Sequence, residues 1–254
     1  MLKEQGFWMS TPSPMFAEMA AAQGFGRVVL DVEHGAFDLG DLDRFIPFCR
    51  ALGLQVLAKV LAPEQAPIQQ ALDFGADGVV IPHVGDSRHA ERVCAYAKYP
   101  PLGGRSFAGG RVVRYGGIPE GFFAAENRRV LCLPMVESAE ALADIDAILA
   151  LPAVDGVFLG PTDLALSRGR PTYGFGAADR EDIGAVAAAA RRAGKPWVMP
   201  AWSAAERAFS RTHGAAWMVT LDEQGAALSG MRAASAELAA ELAGEMAAGQ
   251  RGAA

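Results

Sequence analysis

Two acidic residues are placed for metal chemistry. Glu137 in LCLPMVESAEAL and Asp163 in VDGVFLGPTDLAL each follow a short apolar run and stand at the start of a helix-like segment. Junctions of that kind, strand end to helix start, face the active-site mouth of an α/β barrel. The two acids are about one strand-plus-helix unit apart, so their strands can be neighbours and both carboxylates can converge on one hard cation. Oxygen ligands favour Mg²⁺ or Mn²⁺ over zinc, with Co²⁺ as a third candidate. Two carboxylates leave room for water and for a 2-oxo acid bound through its carboxylate and keto oxygens. A cation there polarises the carbonyl and stabilises the enolate formed when a C–C bond breaks. Singly, each acid is also an ordinary helix-opening residue; the pair is more specific than either member.

Other residues fall at the same predicted end. DVEHG, Asp31–Gly35, closes the second strand. An imidazole is the side chain suited to proton transfer near neutral pH, which makes His34 a candidate base, and Asp31 is expected to orient its ring. Lys59 ends the third strand, where a cation can neutralise a substrate carboxylate or an enolate oxygen; the competing reading is a Schiff-base lysine. In GPTDLA, Gly160 permits close backbone approach, and Pro161 and Thr162 begin a helix whose exposed N–H groups can cradle a carboxylate. His83, in IPHVG, ends the fourth strand and faces the mouth. Arg105, Arg111 and Arg114 sit in a long Gly/Pro/Arg segment and are candidates to grip an anionic substrate tail, or are simply solvated. Trp8 is more at home in the core, and His89 and His213 receive no role.

These residues need an alternating scaffold. Strand candidates are Gly6–Met9, Arg27–Val32, Gln55–Val60, Gly78–Ile81, Val130–Val136, Gly156–Leu159, Trp197–Pro200 and Ala216–Thr220. Helical periodicity marks Pro14–Gln23, Leu39–Leu52, Glu64–Phe74, Ser87–Lys98, Ala139–Leu149, Ala178–Arg192, Ala204–Thr212 and Asp222–Ala247. Eight strand–helix units imply parallel strands with right-handed crossovers, closed into a (β/α)8 TIM barrel as a single domain, 1–254. No GxGxxG follows the first strand, which weakens a dinucleotide-binding alternative. Tyr99–Arg129 breaks the rhythm and reads as a functional or mobile connection. The last helix carries Ala and Leu around much of its surface, as if to cover a neighbouring subunit.

Composition sets the outer bounds. The chain has 254 residues, 51% hydrophobic and 20% charged, with a net charge of −6. That excludes disorder, and the lack of a basic stripe argues against a nucleic-acid partner. Cys49, Cys94 and Cys132 are odd in number and widely spaced, so buried free thiols are expected. No apolar stretch suits a signal peptide or a membrane span, and the expected location is cytoplasmic.

Together, DVEHG, KYPPLGGRS, MVES and GVFLGPTDL, in that order and spacing, resemble the HpcH/HpaI family of class II pyruvate-dependent aldolases. The resemblance implies a TIM barrel whose final helix packs on a neighbour, commonly in a hexamer. It implies a divalent cation held at Glu137 and Asp163, a base at His34 supported by Asp31, and backbone groups at Gly160 and Thr162 that receive the pyruvate carboxylate. Two departures stand out: Lys59 replaces the usual arginine and loses its planar fork, and Met135 replaces a common glutamine and loses its amide.

The leading functional expectation is reversible retro-aldol cleavage of a 4-hydroxy-2-oxo acid to pyruvate, or a related 2-oxo acid, and an aldehyde. A second enzyme reading keeps the enolate chemistry and decarboxylates oxaloacetate or condenses the enolate with another carbonyl. A third, from another class, is a non-catalytic 2-oxo acid binding protein.

Overall fold

Short runs such as RVVLD and QVLAK are buried on both faces, which is how strands of a parallel sheet read. The computed structural model describes residues 2–252, so Met1, Ala253 and Ala254 of the expected domain lie outside the described residues. The elements are β1 (Gly6–Met9), α1 (Pro14–Ala22), β2 (Arg27–Asp31), α2 (Leu39–Ala51), β3 (Gln55–Lys59), α3 (Gln65–Asp73), β4 (Gly78–Ile81) and α4 (Ser87–Cys94). There follow α5 (Phe122–Arg129), β5 (Leu131–Val136), α6 (Ala139–Ala143), α7 (Ile145–Ala150), β6 (Val157–Leu159) and α8 (Pro161–Ser167). The chain closes with α9 (Ala177–Ala193), β7 (Trp197–Pro200), α10 (Ala204–Thr212), β8 (Trp217–Asp222) and α11 (Glu223–Gly252). All strands are parallel and adjacent in sequence order, and β8 returns to β1, closing the barrel.

The expected strands are all present. Three local differences have physical causes. The expected helix Ser87–Lys98 tightens into a 3-10 turn at Ala95–Ala97, where Lys98 is pulled inward. The helix Ala139–Leu149 divides at Asp144, whose carboxylate leaves the helix to accept the Ser87 N–H at 2.6 Å. The Tyr99–Arg129 connection ends in the helix α5, which packs Phe122 and Phe123 against Tyr99 and Phe107.

Strand pleating sorts side chains into two cores. One fills the space between strands and helices and takes residues such as Val28, Leu30, Val56 and Ile81. The other plugs the barrel: Val29, Leu57, Val80, Leu133, Met135 and Phe158 interlock there, beneath Trp8. Positions two residues on from Val29, Leu57 and Met135 face the same interior, one layer nearer the mouth. They are Asp31, Lys59 and Glu137. Register sets their neighbours: Asp31 stands opposite Lys59 in the β2–β3 ladder, and Val136 opposite Leu159 brings Glu137 beside Gly160.

The far end is pinned differently. Lys98 has no exposed side-chain surface, and its ammonium donates to the Asn127 and Val130 carbonyls at 2.8 and 2.6 Å and meets Asp155 at 2.7 Å. Its donors are saturated by structure. The three cysteines are buried and free, as expected. No described helix is long and apolar enough to cross a membrane. α11 is fastened at its start, where buried Glu223 accepts the Ser10 N–H and the Thr11 hydroxyl at 2.8 and 3.0 Å. From Leu228 to Ala243 its side chains are exposed.

Candidate active site

The DVEHG turn is tight. The Gly35 N–H closes it on the Asp31 carbonyl at 2.9 Å, and a β-carbon at Gly35 would collide with that carbonyl oxygen and with Ser10. The turn brings a second acid, Glu33, under the mouth with only 8% of its side chain exposed. Glu33 is the hub of the site. Its carboxylate meets Lys59 Nζ at 2.6 Å, His83 Nε2 at 2.5 Å and His34 Nε2 at 3.5 Å. Burial pushes the Glu33 carboxyl up, but the Lys59 hydrogen bond and charge, with help from His34 and His83, hold it below the ordinary range.

Asp31 has a different task from the one its sequence position suggests. Its Oδ1 accepts the His34 backbone N–H at 3.2 Å and lies 3.4 Å from Lys59 Nζ. The His34 ring, 66% exposed at the mouth, has Glu33 as its carboxylate neighbour. Within so short a turn an aspartate side chain reaches the amide three residues on more readily than the ring beyond it. Lys59 is thus gripped by two carboxylates and stands 5.8 Å over the Trp8 ring. These are the contacts of an ammonium, which donates N–H bonds and carries no lone pair with which to attack a carbonyl.

Glu137 follows β5 by one residue, buried. Its Oε1 accepts the His83 backbone N–H at 2.5 Å. His83 presents that N–H because it holds a left-handed backbone, φ 56°, uncommon for a residue with a side chain. A β-carbon on Gly160 would stand 2.8 Å from Glu137 Cβ and 2.9 Å from Oε2, so glycine is the residue that leaves the carboxylate its place. Asp163, exposed, lies in the first turn of α8. Burial raises the Glu137 carboxyl above its ordinary range and the Asp163 charge adds to this, against the pull of the His83 N–H and ring and of Lys59.

That combination fits a hard divalent cation. Two carboxylates from adjacent βα junctions share a locale, and one resists ionisation because it is buried beside negative charge. Positive charge at that point relieves both costs. Among the described residues no group of three or more His, Cys, Asp and Glu side chains forms a ready metal cluster, so this pair would leave most coordination positions to water and substrate. The first turn of α8 adds donors. Pro161 has no N–H, and the Gly160 N–H is committed to the Val136 carbonyl at 3.1 Å. The amides of Thr162 and Asp163 remain for an incoming carboxylate.

The structure therefore gathers Asp31, Lys59, His34, His83, Glu137, Gly160, Thr162 and Asp163 at one mouth and adds Glu33. Glu33 lies outside β2, in the turn that follows it, so strand alternation gave no signal for it. Arg105 is elsewhere. It is buried on the opposite side of the barrel, 2.8 Å from Asp73 and 4.7 Å over the Tyr99 ring. The Tyr99–Arg129 connection that carries it spans the far end because it links the end of α4 to the start of β5.

Comparison with known proteins follows the same lines. The family model described as HpcH/HpaI aldolase/citrate lyase matches residues 4–222. The chain is 34% identical over 168 residues to the 2-keto-3-deoxy-L-rhamnonate aldolase of Klebsiella pneumoniae subsp. pneumoniae, covering 65% of this chain and 62% of that protein. It is 35% identical over 170 residues to the 2-dehydro-3,6-dideoxy-6-sulfogluconate aldolase of Pseudomonas putida, covering 65% and 66%. The crystal structure of an HpcH/HpaI aldolase from Desulfitobacterium hafniense superposes with a TM-score of 0.84 at 26% identity, covering 92% of each chain. The match thus spans just under two thirds of the length of these aldolases.

Proposed function

The chain belongs to the HpcH/HpaI aldolase/citrate lyase family, and from that premise we propose that it is a carbon–carbon lyase that reversibly cleaves a 4-hydroxy-2-oxo acid into pyruvate, or a related 2-oxo acid, and an aldehyde. The single observation that carries this reading is the buried Glu137 carboxylate, kept in place by the His83 N–H and the bare Gly160, with Asp163 close enough to act on its ionisation. Glu137 and Asp163 would hold a divalent cation, Mg²⁺, Mn²⁺ or Co²⁺. When bound, it supplies positive charge to the oxygens of the 2-oxo acid and so favours enolate formation.

The remaining work falls to side chains and amides of this chain. Thr162 and Asp163 N–H groups receive the substrate carboxylate. His34, at the exposed lip, takes the proton of the 4-hydroxyl group. As that O–H bond gives up its electrons to a new carbonyl, the C3–C4 bond breaks, and its pair passes into the three-carbon enolate. Lys59, its ammonium held by Glu33 and Asp31, steadies the negative enolate oxygen. A proton delivered to C3 then yields pyruvate. Glu33 keeps Lys59 and His83 in place. The ammonium contacts of Lys59 favour this route over an imine route.

Support for assembly comes from α11, whose Leu228, Met231, Leu238 and Leu242 are exposed. We place that helix against a neighbouring subunit, in a hexamer as the family resemblance implies. Free buried thiols suit a reducing compartment such as the cytoplasm.

The test is pyruvate release from a panel of 4-hydroxy-2-oxo acids with Mg²⁺, Mn²⁺ or Co²⁺, before and after complete chelation. Release that appears with cation and disappears with chelator is the expected outcome. Turnover that persists without any cation defeats the mechanism, and 2-oxo acid binding without turnover on every substrate defeats the activity.

A further inference from the structure

At the barrel end opposite Glu137 lies a second concave site. The final turns of α2 and α3, the Gly110–Val113 turn and α5 enclose a cavity of about 540 Å³. Its wall carries Arg50, Arg111, Arg114 and Arg129, and Glu126 is the one acid among the lining residues. Arg105 stands behind Glu126, with Nη1 3.7 Å from Oε1. The chain as a whole carries a net charge of −6, so this gathering of cations runs against its overall balance.

The surplus lies with Arg50 and Arg114, because Arg129 already gives N–H bonds to Glu126 and Asp77 and Arg111 to Asp43 and the Phe74 carbonyl. Asp77 is shared by Arg50 at 3.3 Å and Arg129 at 2.8 Å, and Glu126 is shared by Arg129 and Arg105. Asp43 pairs with Arg111 at 2.9 Å, and Asp73 with Arg105. Arg114 makes no ion pair among the described residues, which leaves five guanidinium groups against four carboxylates. Arg105, although buried, has no hydrogen-bond partner for Nε or Nη1. The backbone at Arg114 and Tyr115 is left-handed, φ 52° and 60°. Such a conformation is unfavourable for a residue with a β-carbon and persists where the surroundings impose it. It places an uncompensated cation on the rim of a cavity already rich in them.

We propose that this cavity binds a phosphate group, free or esterified on a small molecule. Guanidinium groups with donors to spare approach it from two sides, Arg50 on α2 and Arg114 just after the Gly110–Val113 turn, while Arg111 and Arg129 add positive charge to the wall. A tetrahedral, doubly charged oxyanion offers acceptors in those several directions, whereas a planar carboxylate offers two oxygens in one plane. None of the mouth residues lines the cavity, so this site is separate from the lyase centre.

Titration calorimetry of the full chain with inorganic phosphate and with glycerol 3-phosphate, at ionic strength fixed with chloride, tests this. Saturable one-site binding is expected, about tenfold weaker in Arg114→Glu, as for loss of a charged hydrogen bond. Arg50→Ala, on another element, should weaken it similarly, and Glu137→Gln should leave it as it is. Tighter binding of the ester marks an esterified ligand, and equal binding marks the phosphate group alone. Absence of saturable heat, an affinity indifferent to both arginine changes, or loss of binding in Glu137→Gln overturns the proposal.

Discussion

Two lysines are buried in this barrel, one at each end, and they are held in opposite ways. Lys98 gives its N–H bonds to two carbonyls and a carboxylate and is sealed from solvent. Lys59 rests between two carboxylates at the open mouth, one layer above the apolar plug. Around Lys98, charge is consumed in joining elements, for it ties α5 and β5 to the turn before β6. At the mouth, charge is left facing a space. In such a fold, chemistry is to be sought at buried charges that face an open space, not in burial itself.

The comparison can be broken most directly at the acids. Glu137→Ala and Asp163→Ala are each expected to lower kcat/KM by about 10³ or more, as for loss of a principal electrostatic element of a transition state; steady-state pyruvate release measures it, and full activity in either protein removes the mouth from consideration. Lys98→Met should act on the other quantity. Leaving Asp155 with the Cys132 N–H but without its ammonium, and two carbonyls unsatisfied, should cost about 3 kcal/mol of stability, read by urea unfolding, with kcat/KM of the folded fraction preserved. Lys59→Met should also cost stability, since it strands two buried carboxylates, but unlike Lys98→Met it should lower kcat/KM of the folded protein by about 10². Equal behaviour of the two lysine variants would erase the contrast between the ends.

Smaller effects sharpen it. Without added cation, Glu137→Gln should stabilise the protein by about 1 kcal/mol, because a buried carboxylate beside Asp163 is replaced by a neutral amide. The same change should abolish any increase in Tm on adding Mn²⁺. The pH dependence separates three glutamates by sign. The Glu126 carboxyl would be raised by burial, but Arg129, then Arg105, outweigh this and hold it below the ordinary 4.5. It therefore contributes stability above that value, lost as pH falls through its folded-state pKa. Glu33 behaves alike. Glu137, raised by burial, has the opposite sign: its contribution is present below about 4.5 and is lost as pH rises through its folded-state pKa. Melting curves across the acid range should accordingly show a shallower decline on acidification in Glu126→Gln, and a steeper one in Glu137→Gln.

Much of this was legible in the chain. Buried runs such as RVVLD and GVVI announce parallel strands, and Glu137 and Asp163 fall just beyond two of them, so the barrel and its mouth follow from pattern and spacing. Glu33 was obscured by its neighbours: Asp31 and His34 looked like a self-sufficient pair, and residue 33 lies in the turn after β2, where strand alternation no longer assigns a face. The contact between Asp31 and Lys59 depends on the stagger between two strands, which no local pattern encodes. Arg105 misled for a related reason. Glycine, proline and arginine mark a connection but not which end of the barrel it crosses, and that depended on recognising α5 as a helix leading back into β5.

α11 is a rod of 30 residues, roughly 45 Å long at the usual helical rise, bolted to the Ser10–Thr11 corner by one carboxylate. That corner continues β1, whose Trp8 lies beneath Lys59. In the proposed assembly, a subunit seated on the exposed leucines of α11 would bear, through Glu223 and the Ser10–Thr11 corner, on the strand that carries Trp8 under Lys59.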